Sequence, residues 1–408
     1  MSENIFYDCI VVGGGPGGST AATLLSKKGK RVLLIDKETF PRDKTCGDAI
    51  SGKSLSILGE LGLVGEIEKA DHGEIGGVLF SSPNGAMASI PFGKNDEHIA
   101  KGYTCRRQVY DNLLFQNAKK NCDVMEGMAA TGLIRENGAV AGVKAKGSDG
   151  KEYEFRGKMV IGADSVNSVV AREIRGAEVD PKHSCIAYRT YYSGITGMTS
   201  KLEIHFVKSI MPGYFWIFPL ENGLANVGVG MVMEDMKKHG TDLGKAMGDI
   251  VANNPLFKER FANATMVSPL KAWQLPFGSK KRKVHAEKVL LVGDAAGLVD
   301  PFSGEGVGNA MLSGKLASEV VYEALTANDT GEAFLKRYDD RLWEVVWNEL
   351  STSYNMQKLG KVELLLNFVV GKAAKSPKAR EAISGTLSNK EAKKGYASPL
   401  FYLKLLFE

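Results

Sequence analysis

The chain has 408 residues, more than one hydrophobic core ordinarily serves, so two units plus an extension are expected. An apolar fraction of 44%, a charged fraction of 24% and a net charge of +5 describe an ordinary globular protein and give no sign of a nucleic-acid partner. Five scattered cysteines (Cys9, Cys46, Cys105, Cys122 and Cys185) form no C-x-x-C pair and no His/Cys cluster, which argues for a reducing compartment and against a structural metal site. The start, "MSENIFYD", does not read as a signal peptide, and no apolar run reaches the roughly 18 residues of a spanning helix. A cytoplasmic protein is expected, with peripheral contact at a membrane surface left open.

In chain order, "DCIVV" reads as a buried parallel strand, followed by Gly13-x-Gly15-x-x-Gly18, a small-residue helix "STAATLLSKKG" and a second strand "RVLLID". Gly13 permits the tight turn, Gly15 a close approach to a pyrophosphate, and Gly18 the packing of helix on strand. The helix start offers free N–H groups and a positive dipole end to phosphates. Asp36, 18 positions after Gly18, stands where a ribose hydroxyl is accepted. This is a dinucleotide-binding unit that does not itself separate FAD from NAD. Further on, "IAYRTYYSGI" and "KLEIHFVKS" alternate like strands. "GYFWIFPLENGLANVG" (213–228) puts Tyr214, Trp216 and Phe218 on one strand face and Phe215 and Ile217 on the other. Taken alone, that face is either core or the wall of a flat or apolar site. The basic loop "GSKKRKVHAEK" (278–288) is solvated surface or an anion-attracting patch. A second strand, "KVLLVG", leads into Asp294, Pro301, a glycine-spaced loop and another helix. The last stretch, from 329, carries apolar residues at helical spacing. "VELLLNFVVG" and "SPLFYLKLLF" there read as buried helix or strand.

The downstream segment "GDAAGLVDPFSGEGVGNA" resembles the second flavin motif of FAD-containing oxidoreductases related to p-hydroxybenzoate hydroxylase, with Gly297 where those enzymes commonly carry His. The resemblance implies that Asp294 binds the ribityl chain and that the helix after Gly306 aims its start at the flavin pyrimidine ring. A helix start also suits the negative charge of reduced flavin along its N1–C2=O edge. "RRQVYD" is similar to the R-x-x-x-D segment of these enzymes, implying Arg107 near the FAD phosphates with Asp111 as its helix partner. "MVIGADSVNSVVAR" is similar to their G-A-D-G element, with Ser165 replacing the glycine after Asp164. No second G-x-G-x-x-G module is present, so the electron donor is a visiting NAD(P)H or a ferredoxin-like protein.

Two stretches narrow the resemblance to the geranylgeranyl reductase family, flavoproteins that saturate isolated C=C bonds in isoprenoid chains. One is Pro41, Arg42, Lys44, Cys46, Gly47 and Asp48; the other is Gly213, Tyr214, Trp216, Phe218 and Pro219. Together with the flavin motifs they carry the resemblance from about residue 5 to about 320. It implies a polyprenyl lipid or related substrate and binding by Tyr214, Trp216, Phe218 and Pro219. Cys46, Tyr214 and Trp216 are the expected catalytic residues; the plain alternative for Cys46 is a small residue in a tight turn. Cofactor contacts are expected from Gly13, Gly15, Pro16, Gly18, Asp36 and Lys37. They are also expected from Arg42, Cys46, Gly47, Asp48, Arg107 and Asp164, and from Gly293, Asp294, Pro301, Gly304, Gly306 and Val307. A flavin monooxygenase or halogenase is the alternative, since halogenases carry a G-W-x-W-x-I-P stretch. Tyr214 and Phe218 depart from it, and Lys94 is the nearest candidate for the halogenase lysine.

The fold class is therefore α/β, α+β overall. A Rossmann-type FAD-binding domain is expected from 1–72, 101–180 and 278–328. A mostly antiparallel-sheet substrate domain is expected from 73–100 and 181–277, and a C-terminal helical region from 329–408.

Overall fold

The apolar runs that open each flavin motif become neighbours in one sheet. In a computed structural model, which describes residues 5–92, 102–177 and 179–388, strand Phe6–Val12 lies between Glu152–Gly162 and Val32–Ile35. It pairs in parallel with both, and Glu152–Gly162 pairs in parallel with Val289–Leu291. Strand Asp123–Met125 extends the same sheet beyond Val32–Ile35. Strands Met128–Glu136 and Ala139–Gly147 add an antiparallel wing to Glu152–Gly162. Parallel strands covered on both faces must be apolar throughout. Ile10, Val11, Leu33, Leu34, Val160, Ile161 and Leu290 are accordingly fully buried. Each such side chain contributes roughly 1.5–3 kcal/mol by burial.

The helices that follow the two glycine loops, Pro16–Lys27 and Val307–Ala327, pack directly on each other. A Cβ at Gly314 would lie 2.3 Å from the Gly17 carbonyl oxygen, so only glycine permits this crossing. That contact binds sequence segments nearly 300 residues apart into one unit.

A second eight-stranded sheet runs in the order Thr265–Met266, Ser184–Ser193, Leu224–Val232, Tyr214–Pro219, Leu202–His205, Gly77–Ser81 and Met87–Pro91, with Lys271–Pro276 also on Ser184–Ser193. Every pairing is antiparallel except Leu202–His205 with Gly77–Ser81. Phe215 and Ile217 face a core completed by Leu243, Met247 and Ile250 of helix Leu243–Asn253 and by Phe257 and Phe261. Tyr214, Trp216 and Phe218 therefore take the other face, toward the first unit. Residues 73–75, grouped above with the substrate segments, instead pair with Gly102–Thr104, which also pairs with Ala49–Ile50.

The predicted helical stretch after 329 is helix Glu332–Leu359, whose Leu335, Tyr338, Leu342, Val346 and Leu350 recur at helical spacing and are buried against the first unit. "VELLLNFVVG" falls in helix Glu363–Lys375, which buries only Val370 and Ala373, against Ala88 of the second sheet, and leaves Leu364 81% exposed. "SPLFYLKLLF" and Lys94 lie outside the described residues.

Candidate functional site

The first turn is shaped by close backbone contacts. Gly13 has φ +106°, and a Cβ there would sit 2.4 Å from the Ala163 oxygen; at Gly18 it would sit 1.8 Å from the Gly13 oxygen. At Gly15 it would meet only the Arg42 guanidinium, at 3.8 Å. Gly15 is thus the open side of the turn, and helix Pro16–Lys27 begins there with Pro16 at its first position, where a missing N–H costs nothing. Asp36 is nearly buried and accepts the Gly14 N–H at 2.6 Å and the Glu38 N–H at 2.8 Å. Burial pushes its carboxyl up, against the pull of those two N–H groups and Arg42. Lys37 is an exposed residue beside Glu38.

Next to the open side stands a buried charge cluster. Arg107 donates to both oxygens of Asp111, at 2.5 and 2.7 Å, and Arg42 donates to Asp111 at 2.6 Å. Burial alone would raise Asp111, but the two guanidinium groups outweigh it and hold the carboxyl below its ordinary range. Two cations on one anion leave one positive charge beside Gly15, which fits a pyrophosphate. The Cys46 side chain lies against Arg107.

The loop 42–48 then passes under the second sheet, where side chains that the sequence reading did not single out hold it. Asn226 donates to the Cys46 carbonyl at 2.6 Å and to Asp48 at 2.7 Å, and accepts the Trp216 indole N–H at 2.9 Å. Tyr191 donates to Asp48 at 2.8 Å. Arg189, fully buried, donates to Asp43 at 2.8 Å and to the Lys44 carbonyl at 3.1 Å. Asp48 has φ +64° and is 1% exposed. Burial pushes its carboxyl up to about 6 despite Arg189, Asn226 and Tyr191. One signal for this clamp was visible: a lone asparagine inside the otherwise apolar run "LANVGVGMV".

The aromatic face meets both flavin-motif loops. A Cβ on Gly47 would lie 3.0 Å from the Phe218 ring, and the Tyr214 hydroxyl donates to the Ser303 carbonyl at 3.4 Å, beside Gly304. Tyr214 and Phe218 flank Trp216 at ring separations of 6.0 and 6.2 Å. Trp216 was expected to line the slot with them. It is 6% exposed, its ring seated on Gly228 and its N–H given to Asn226, so it supports the wall from beneath. Pro219 offers its carbonyl to Thr104.

The second motif closes the site. Asp294 accepts from Lys44 at 3.4 Å and from the Ser165 hydroxyl at 3.0 Å. Ser165 has φ +66°, a conformation that favours glycine, and its hydroxyl returns a hydrogen bond that glycine lacks. Asp164, expected among the cofactor contacts, turns its carboxylate onto its own helix and accepts from the Ser168 hydroxyl and the Val169 N–H. Gly293 donates its N–H to Ser313, and a Cβ on Gly306 would lie 3.8 Å from an Asp294 oxygen. Helix Val307–Ala327 therefore starts next to Asp294. Pro301 is fixed by Gln357, whose amide donates to its carbonyl at 2.5 Å. A continuous strip thus runs from Gly15 past Arg42 and Cys46 to Asp294 and Val307. Its open glycine turn, net positive cluster and the start of helix Val307–Ala327 fit the phosphates, ribityl chain and ring of FAD.

The basic loop is largely partnered. Lys280 pairs with Asp180, Lys283 with Glu332, Arg282 donates to the Phe277 carbonyl, and Lys281 lies over Trp343 and Trp347. No helix among the described residues is long and apolar enough to cross a membrane.

An FAD-binding domain family matches residues 7–352. A digeranylgeranylglycerophospholipid reductase of Methanococcoides burtonii is 32% identical over 354 residues, 85% of this chain and 82% of its own. Its counterpart of the same name in Methanocaldococcus jannaschii is 33% identical over 363 residues, 87% and 86%. A geranylgeranyl bacteriochlorophyll reductase-like protein of Thermoplasma acidophilum shares the fold at a TM-score of 0.79 and 25% identity, over 95% of this chain and 98% of its own. A flavin-dependent brominase shares the fold at a TM-score of 0.72 and 22% identity, over 94% and 93%. With FAD as its cofactor and its likeness to these relatives running through both units, the chain belongs to the geranylgeranyl reductase family of FAD-dependent oxidoreductases.

Proposed function

We propose that this enzyme saturates isolated C=C bonds in the geranylgeranyl chains of a glycerophospholipid. The observation that carries the reading is the placement of Tyr214 and Phe218 over the 46–48 and 301–304 loops, between the two FAD motifs. When bound, FAD would supply the hydride. The chain's own residues supply the rest. An unactivated alkene has no carbonyl to polarise, so positive charge builds on its more substituted carbon as hydride arrives at the other. The Tyr214 and Phe218 faces stabilise that charge by on the order of 0.5–2 kcal/mol each. The same faces line an apolar slot for the chain and exclude water.

Tyr214 and Cys46 are the two candidates for the proton. Tyr214 carries a hydroxyl, which donates to the Ser303 carbonyl, and burial pushes its pKa well above the ordinary range, so its proton is given up less readily than that of a free tyrosine. Cys46 carries a thiol one residue before Gly47, the residue beneath Phe218, with its side chain against Arg107. Arg42 and Arg107 would hold the FAD phosphates, and Asp294 the ribityl chain. Electrons come from NAD(P)H or a ferredoxin-like protein. Peripheral membrane contact is supported by the exposed Val362 and Leu364 at the start of helix Glu363–Lys375, with Lys372 and Lys375 in its last turn, better than by the partnered basic loop.

The test is single-turnover reoxidation. Enzyme reduced with dithionite and freed of oxygen is mixed with digeranylgeranyl phospholipid in detergent. Return of oxidised-flavin absorbance with unsaturated but not saturated lipid is expected. Equal return with both would overturn the reading.

A further inference from the structure

Glu305 fills the middle position of the Gly304-Glu305-Gly306 loop and is assigned nothing by the flavin motif. One of its oxygens accepts the Gly308 N–H at 2.6 Å and the Ser51 hydroxyl at 3.0 Å. Gly308 is the second residue of helix Val307–Ala327. A donor at that helix start is therefore held by a carboxylate from the same loop. Lys53, on helix Gly52–Leu61, is the cation facing Glu305. Lys53 is itself fixed by Asn309 at 2.6 Å and by Glu349 of helix Glu332–Leu359 at 2.9 Å. Asp300 faces Glu305 with like charge. One Asp300 oxygen takes the Phe302 and Ser303 N–H groups, while the other is buried with no hydrogen-bond partner among the described residues. The packed surroundings push the Glu305 carboxyl above its ordinary range, and Asp300 adds to that. Lys53, the Gly308 N–H and the Ser51 hydroxyl pull the other way.

This arrangement conflicts with the simplest view of the helix start. The resemblance of the flavin motif implies that this end would meet the edge of bound FAD where negative charge gathers on reduction. A carboxylate already seated on Gly308 adds a second negative charge in the same packed space. Like charges so close in a low dielectric are not both held; one of them takes a proton.

We propose that Glu305 takes up one proton each time the bound FAD is reduced and gives it back on reoxidation. Two electrons from a low-potential donor such as dithionite and one solvent proton reduce the FAD. A second solvent proton converts the Glu305 carboxylate to the carboxylic acid. When hydride passes to an acceptor, Glu305 returns its proton to solvent as a carboxylate. Glu305 touches neither substrate nor reacting atom; it positions and balances charge. The inference requires bound FAD and is independent of which alkene is reduced.

The test is the midpoint potential of the FAD-loaded protein, measured spectroelectrochemically across the neutral pH range. Each proton taken up with two electrons adds about 30 mV per pH unit to the slope, since a tenfold change in a two-electron couple is 29.6 mV. The wild type is expected to be steeper than Glu305→Gln by one proton between the carboxyl pKa values of the oxidised and reduced states. Glu305→Asp, which keeps a carboxylate, restores the steeper slope. Ser51→Ala removes a donor that favours the ionised form and moves the steep window to higher pH. Equal slopes in wild type and Glu305→Gln at every pH overturn the proposal. Should Glu305→Gln fail to retain FAD, a Ser51→Ala window at the wild-type pH overturns it instead.

Discussion

Replacing Asp111 with asparagine is the sharpest perturbation of the cofactor cradle. Asp111 is fully buried and takes three charge-assisted hydrogen bonds of 2.5, 2.6 and 2.7 Å from two arginines. The side chain of Arg107 is 7% exposed and that of Arg42 13%. Arg107 cannot reach water in place of its partner, whereas Arg42 partly can. Each charged hydrogen bond contributes about 1.5–3 kcal/mol, but the three share one carboxylate and do not add. Removing one partner of a buried ion pair costs about 3–5 kcal/mol, and that range is predicted for Asp111→Asn in the absence of FAD. The assay is urea unfolding of apoprotein, followed through a transition confined to the first unit because the chain has two cores. A loss under about 1 kcal/mol would refute the view of Asp111 as the counter-charge that makes the double-arginine site foldable. The sign with pH follows from the depressed carboxyl. Stability from Asp111 is present above its unfolded pKa, near 3.9, and is lost as pH falls through the folded value. Asp111→Asn should lack that component.

Three further predictions follow from the same contacts. Tyr214→Ala should abolish turnover with FAD still bound, whereas Tyr214→Phe should keep the wall; the split between the two in single-turnover rate separates ring from hydroxyl. Asp48 is raised to about 6 when folded, so its share of stability is greatest at low pH and is lost as pH rises from about 4 to about 6, on the order of 3 kcal/mol. Tyr191→Phe removes a donor to the ionised form and should extend that loss to higher pH, seen by comparing unfolding free energies of the two proteins at mildly acidic and mildly alkaline pH. Gly314→Ala drives a Cβ to 2.3 Å from the Gly17 oxygen and should separate the two motif helices, read as loss of FAD retention on gel filtration; a variant that keeps its FAD would contradict the crossing described here.

Both flavin motifs were legible because each is a contiguous strand, turn and helix whose geometry is written locally in glycines and apolar runs. The Arg107–Asp111 pair came from the resemblance to the R-x-x-x-D segment, and the two meet because they are four residues apart on one helix. The faces of strand Tyr214–Pro219 were legible from alternation alone. What escaped were contacts made across the chain. Asn226, Tyr191 and Arg189 reach the 42–48 loop from strands more than 140 residues away, and no local pattern records such a partner. The seat of Trp216 depends on Gly228 of the neighbouring strand, which alternation does not reveal. Asp164 looked like a ligand residue, but a helix start four residues on, at Ser168, claims its oxygens first. The basic loop looked free because its acidic and aromatic partners lie at 180, 332, 343 and 347.

The central claim is that reduced FAD delivers hydride to an isolated alkene across the Tyr214–Phe218 wall. It is tested most directly by weighing the lipid after anaerobic incubation of digeranylgeranyl phospholipid with the dithionite-reduced enzyme. The account predicts products heavier by two hydrogens for each double bond reduced, absent with Tyr214→Ala. Unchanged lipid under these conditions, with oxygenated or halogenated products appearing only when oxygen or halide is supplied, would contradict it.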